Sequence, residues 1–276
     1  MSRSIAPRGV ASLGMYDHPA QQAANDRLWS AIAARLSAAG LAGVPDRLDR
    51  TRDVQAIWRD PDLVLGQACG YPLSVDARLN LRIVALPVYD VEGSIGATHR
   101  SVIVARAEDP RAGLAAFRGA RAAINDPGSN TGMNLFRAAI AHVAGGDARF
   151  FADVVTTGAH RASVAAVGEG LADIAAIDGV SYAAIARFEP ALTASLRIVA
   201  HSPFSPTLPF VTAARTDDAT LAALRGALAE AMADPALDAV RDTLFLRGLA
   251  AADAATLDPI VALAAEAARA GYADLR

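Results

Sequence analysis

The chain has 276 residues, 53% of them hydrophobic and 20% charged, with a formal net charge of −3; it is too apolar for disorder and long enough for two domains. The slightly acidic balance excludes a nucleic-acid partner, which would need a basic stripe. All 26 basic residues are arginine, so lysine Schiff bases and a phosphate-loop lysine are excluded too. In chain order, a strand is predicted over residues 9–15 and a helix over 19–39. Strands follow over 62–67, 81–89 and 100–106. A second series places strands over 122–126, 152–157, 172–177 and 196–201, with helices over 131–143 and 161–168. The rest is predicted helical, over 218–232, 236–247 and 257–271, with Asp217 or Asp218 as a cap and Gly271 as a stop. Short apolar runs alternating with helical patterns are the signature of parallel α/β architecture.

Two segments interrupt this alternation. The first, Val91-Glu92-Gly93-Ser94-Ile95-Gly96, carries two glycines; the second, residues 202–209, carries three prolines that no regular element accommodates. Both read as crossings around an inserted lobe. Lobe 1 is then residues 1–92 and 211–276, and lobe 2 is residues 93–210. Ligands of α/β folds sit at the carboxyl ends of strands, so a cleft between the lobes would be lined by residues just after strands. Cys69 is the single cysteine, which rules out an internal disulfide and a thiolate zinc site and reads as a small buried thiol near a strand end. Residues 1–9 contain no apolar stretch of signal-peptide length, and no run is long enough for a membrane helix.

The strongest local signal is residues 122–137, where a strand enters the turn Asp126-Pro127-Gly128-Ser129-Asn130-Thr131-Gly132 and a helix opens at once. A helix start offers unpaired N–H groups and a positive dipole end, and the Ser129 and Thr131 hydroxyls add donors. Such a turn holds an anion without a lysine. The same residues would also serve as ordinary helix caps.

Residues 156–180 repeat the pattern of strand, glycine turn, helix, strand and turn. His160 and Asp178 each fall just past a strand end. Histidine offers a donor to an anion oxygen, and an aspartate suits an anion that itself carries a proton, such as a P–OH group. Taken singly, His160 reads as a turn residue and Asp178 as a cap for a helix over 181–188.

Six ordered stretches carry a family resemblance: residues 65–73 (Leu-Gly-Gln-Ala-Cys-Gly-Tyr-Pro-Leu), 100–104 (Arg-Ser-Val-Ile-Val), the Ser129–Gly132 turn, 157–163 (Thr-Gly-Ala-His-Arg-Ala-Ser), 172–178 (Ala-Asp-Ile-Ala-Ala-Ile-Asp) and 208–212 (Leu-Pro-Phe-Val-Thr). In that order the chain resembles the phosphonate, phosphate and phosphite substrate-binding proteins of ABC importers. The resemblance implies a two-lobed type 2 periplasmic binding protein fold: two doubly wound α/β lobes joined by two hinge crossings. It further implies a protein that closes around a small oxyanion, works with an ABC permease, exists as a monomer, and is neither an enzyme nor dependent on a cofactor. Carried over, the ligand contacts are Ser129, Asn130, Thr131, Gly132, His160 and Asp178, with Tyr16 and Tyr71 closing from the first lobe. Asn130 stands where the family commonly has a second hydroxyl, and would donate through its amide. The implied location is the periplasm, with the cytoplasm, and a sensing module for another small ligand, as the alternative.

The remaining candidates read as structural. Asp17 and His18 follow the first strand and suit an exposed turn, and Trp29 and Trp58 belong to helical apolar faces. His99, His142 and His201 lack metal-ligand spacing and read as structural or surface residues. Ser163 lacks the Gly-x-Ser-x-Gly context of a catalytic serine. Ser181 and Tyr182 follow Asp178 directly and could form a wall of the pocket.

Overall fold

The structure is a computed structural model and describes residues 9–146 and 149–276. Residues 1–8, on which the reading of the N-terminus chiefly rests, lie outside the described residues.

In chain order, β1 (Val10–Ser12) passes through two single 3-10 turns, Gly14–Tyr16 and Pro19–Gln21, into α1 (Gln22–Ala38). Then come α2 (Val54–Trp58), β2 (Leu63–Gln67), α3 (Gly70–Val75), β3 (Arg82–Tyr89), β4 (Thr98–His99), β5 (Ser101–Arg106) and β6 (Arg121–Ile124). A π-helical turn, Asn130–Asn134, opens α4 (Leu135–Ala144), followed by β7 (Asp153–Thr156), α5 (His160–Gly168), β8 (Ile174–Asp178), α6 (Gly179–Phe188) and α7 (Pro190–Thr193). The chain ends with β9 (Leu196–His201), β10 (Ser205–Pro206), β11 (Phe210–Thr212), α8 (Asp218–Ala233), α9 (Asp238–Thr243), β12 (Leu246–Ala250) and α10 (Asp258–Arg269).

These elements form two compact units. The first comprises Met1–Cys69, Asp76–Asp90 and Leu208–Ala255; the second comprises Gly70–Val75, Val91–Thr207 and Thr256–Arg276. The second unit thus takes in α3 and α10, which the sequence reading had left with lobe 1. The reason is packing: α10 lies on α3 and α4, and Ile260 of α10, fully buried, fills the space that a Cβ on Gly70 would need. Glycine at position 70 is what lets the two helices approach.

The first unit is built on one sheet in the order β1-β2-β11-β3-β12. β1 runs parallel to β2, whereas β11 is antiparallel to both of its neighbours and β12 is antiparallel to β3. The expected parallel sheet is therefore a mixed one. Apolar periodicity reports which residues are buried, not strand direction, and β11 and β12 both return from distant parts of the chain. The predicted helix over 236–247 is corrected in the same way: α9 stops at Thr243, Phe245 turns with φ 55°, and β12 pairs with β3, Leu246 opposite Tyr89. Trp29 and Trp58 are buried as expected, each indole N–H donating to a carbonyl, Pro45 and Gln67 respectively, at 3.0 Å. Cys69 is also buried, just past β2.

The second unit has the sheet order β7-β6-β8-β5-β9. β6 is parallel to β7 and to β8, while β5 is antiparallel to β8 and β9. Both faces are buried. Ile103, Ala105, Ala122, Ile124, Ile174 and Ala176 pack with Phe136 and Ile140 of α4, and Val102, Val104, Ala123, Ala175 and Ile177 pack with Val164 and Val167 of α5. This two-sided burial is why the strands read as continuous apolar runs, with period two deciding only which face each residue joins.

Removing the Ile260 side chain leaves a cavity between α10 and α3. Ile260→Ala is expected to destabilise the protein by about 2–5 kcal/mol, read by urea denaturation; a loss under about 1 kcal/mol would show that this helix pair does not hold the second unit together.

Candidate functional site

Three strand ends of the second unit come to one edge of its sheet. Ile124 of β6 is in register with Thr156 of β7, and Ala123 with Ala175 of β8, so the turns after these parallel strands open on the same side. The turns are tied directly. The N–H groups of Thr157 and Gly158 donate to the carbonyls of Ile124 and Asn125, each at 2.9 Å. Gly158 has φ +87°, a left-handed conformation that glycine adopts without strain. The Thr157 hydroxyl lies 2.7 Å from that of Ser163, which anchors the turn to α5. Ser163 is thus a fully buried structural residue.

In the first turn, Ser129 is the N-cap of the π-helical turn, its Oγ accepting from the Gly132 N–H at 3.0 Å. The hydroxyl hydrogen is left to donate elsewhere, so capping and anion contact are compatible in one side chain. Gly132 permits the close approach. A Cβ there would collide with Asn125 Oδ1 and stand 2.9 Å from Asn125 Cγ and 3.1 Å from His160 Cε1. The Thr131 carbonyl accepts from the Ser101 hydroxyl at 2.7 Å, pinning the turn to β5.

His160 bridges the turns. The Asp178 N–H donates to its Nδ1 across a long 3.4 Å, which places the ring proton on Nε2, 3.1 Å from Thr131 Oγ1. Nε2–H then donates to Thr131, and the Thr131 hydroxyl hydrogen is directed away from the ring. In this geometry His160 meets Thr131 and orients its hydroxyl. Burial lowers the His160 pKa below the ordinary histidine value, with Asp178 opposing and His99 reinforcing the shift.

Asp178 is 2% exposed and, as expected, caps a helix: Oδ1 accepts from the Ser181 N–H at 3.0 Å. Its Oδ2 lies 3.4 Å from Nδ1 of His99, a residue with no solvent exposure. His99 was read as merely structural or surface-lying, yet it stands beside the carboxylate. Its signal was present in register, since β5 begins two residues later with Ser101 opposite Asp178. Burial also lowers the His99 pKa, opposed by Asp178 and the Pro206 carbonyl.

The Asn130 amide is engaged within the second unit. Its Nδ2 donates to the Ser205 hydroxyl at 2.8 Å and its Oδ1 accepts from Asn134 at 3.1 Å, so the side chain is built into the interior. Tyr71, expected from the first lobe, belongs to the second unit, where Arg137 stands 6.0 Å from its ring centroid. The cause is again the docking of α3 on α10. Tyr16 lies in the first unit and meets Tyr89 edge-on, with ring centroids 5.4 Å apart. Ser101, Ser205, Asn134 and Arg137 support the turn and carried no sequence signal, because their contacts come from separate segments. Tyr182 is half-buried, and burial beside Glu92 raises its pKa. Among the described residues there is no cluster of three or more histidine, cysteine, aspartate or glutamate residues fit to hold a metal. No described helix is long and apolar enough to cross a membrane.

The second unit gathers neutral donors and a carboxylate at its strand ends, an arrangement suited to a small ligand. The chain belongs to the family of periplasmic substrate-binding proteins of ABC phosphonate transporters, whose model matches residues 19–257. The resemblance read from the six stretches is thereby borne out, and the family is one of transport binding proteins, not enzymes. The fold is shared with PhnD1 of Prochlorococcus marinus in complex with methylphosphonate, at 15% identity over 94% of this chain and 97% of that one, TM-score 0.73. It is also shared with a binding protein component of an ABC phosphonate transporter from Pseudomonas aeruginosa, at 18% identity over 90% and 83%, TM-score 0.72. A Xanthomonas citri protein bound to ATP has it too, at 17% identity over 96% and 98%, TM-score 0.69. No curated protein matches the chain.

Two predictions follow from this geometry. Gly132→Ala is expected to disrupt the turn and lower the melting temperature, since Asn125 or the backbone must move; an unchanged melting temperature would refute the close approach. The second concerns pH. His99 and His160 have lowered pKa values when folded, while unfolded histidine titrates near about 6.5. Below that pH the unfolded chain takes up protons that the folded chain refuses, so stability falls on acidification and these groups leave it unchanged above it. The melting temperature is expected to drop between about pH 7 and 5, and less steeply in His99→Gln; equal slopes would show that His99 is not held neutral by the fold.

Proposed function

We propose that this chain captures a small phosphate-like oxyanion, a phosphonate, phosphite or phosphate, for an ABC importer, and holds it at the turns of the second unit. The observation that carries this reading is the bond between Thr131 Oγ1 and His160 Nε2 at 3.1 Å, with His160 in turn held by the Asp178 N–H. This arrangement leaves the Ser129 and Thr131 hydroxyl hydrogens to donate to an anion beside a helix start. Asp178, the last residue of β8 and opposite Ser101 of β5, supplies an acceptor for a protonated ligand oxygen, with His99 and the part-buried His160 beside it. A fully deprotonated anion would meet that charge unfavourably, so the monoprotonated form is the species bound. Families of this kind deliver their ligand to a permease. That the structure of PhnD1 from Prochlorococcus marinus holds methylphosphonate makes this compound the first one to try.

The test is ligand-induced stabilisation. At about a hundredfold excess over Kd, methylphosphonate, phosphite or phosphate is expected to raise the melting temperature by about 5–10 °C. The shift should vanish in the Ser129→Ala/Thr131→Ala double variant. A panel of small phosphonates, phosphite and phosphate that leaves the wild-type melting temperature unchanged would overturn the reading, and a shift with a carboxylate alone would favour a sensing module.

A further inference from the structure

Arg137, on the first turns of α4, is a cation inside the second unit and is 5% exposed. Its Nη2 donates to Asn134 Oδ1 at 2.7 Å, its Nη1 donates to the Ala273 carbonyl, and its buried Nε has no hydrogen-bond partner. Among the described residues it makes no ion pair; its contacts are neutral, the Tyr71 ring included. A buried charge is costly without a counter-charge, and in a low-dielectric interior its attraction reaches further than at the surface.

The guanidinium also starts a chain of hydrogen bonds. Asn134 accepts from it and donates through Nδ2 to Asn130 Oδ1 at 3.1 Å, and Asn130 donates through Nδ2 to Ser205 Oγ at 2.8 Å. Asn134 and Asn130 are 0% and 1% exposed. Each amide accepts on the arginine side and donates on the far side, so both dipoles align with the cation and strengthen one another. The chain passes through Asn130, the middle residue of the Ser129–Thr131 segment.

We propose that Arg137 is a positioning residue for the anion site: its unpaired buried charge, with the Asn134–Asn130–Ser205 chain, fixes the turn and adds positive potential to that of the helix start in a lysine-free pocket. This rests on the anion-capture reading above. It explains why Asn130 stands where a hydroxyl could have served: a carboxamide both accepts and donates through separate atoms, which links Asn134 to Ser205. It also accounts for an arginine kept in the interior without a carboxylate, since a bound anion lowers the cost of burying it.

Isothermal titration with methylphosphonate tests it, on the wild type, Arg137→Met and Arg137→Lys, with urea denaturation of each apo protein. Methionine keeps a long apolar stem and removes the charge, and lysine keeps the charge. Affinity is expected to fall about tenfold or more in Arg137→Met and to stay within about threefold in Arg137→Lys. Equal losses in both, or no loss in either, would reduce Arg137 to packing against the C-terminal segment and overturn the proposal. If Arg137→Met does not fold, Asn134→Leu cuts the chain with the guanidinium in place; a loss of about threefold or more supports the proposal and an unchanged affinity overturns it. Wild-type protein that binds neither methylphosphonate, phosphite nor phosphate would end the capture reading and this proposal with it. Wild-type binding with Arg137→Met unaffected would end this proposal alone.

Discussion

The parallel register of β6, β7 and β8 is the constraint on which the second unit's chemistry depends. It brings Asn125, Thr157 and Asp178 to one edge of the sheet, where the carbonyls of Ile124 and Asn125 hold the second turn and His160 reaches back to Thr131. Each link is a hydrogen bond of ordinary strength, worth about 1 kcal/mol. Their joint effect is geometric: the turn hydroxyls cannot swing toward one another, because Ser101, His160 and Gly132 fix their partners. A site made of neutral donors depends on such preorganisation more than one that uses a flexible charged side chain.

The second unit's sheet could be read from sequence because both of its faces are buried. Val102 through Ala105 form an unbroken apolar run, and no polar residue signals an exposed face. The turns were legible for a related reason, since glycine and small hydroxylated residues between a strand and a helix serve few other purposes. Strand direction was not legible. β11 and β12 are antiparallel insertions into a sheet begun more than a hundred residues earlier, and their pattern matches that of a parallel strand or, for residues 236–247, a helix.

The supporting shell was the least visible part. Ser101, Ser205 and Arg137 meet the turn from β5, β10 and α4, Asn134 closes the turn itself, and His99 of β4 stands beside Asp178, and each looks unremarkable in its own stretch of chain. Asn130 shows the limit of residue-type reasoning. An amide in place of a hydroxyl suggested an altered ligand contact, whereas the structure turns it inward to Ser205 and Asn134. Tyr71 likewise groups with the second unit, because α3 packs on α10, with Gly70 against Ile260, and on the Asn130–Asn134 turn, contacts that no local pattern of residues 70–75 announces.

Gly132 bears on how such a protein could change over generations. A methyl group at this one position would meet Asn125 and His160 together, and no residue is smaller than glycine, so single-residue drift there is closed. Ser129 and Thr131 adopt backbone conformations open to any residue, and exchange of one small hydroxylated residue for another there would keep the hydroxyl donor while changing the space beside it. Diversification of ligand preference in descendants of this chain is thus channelled through the residues on either side of a glycine that must itself stay still.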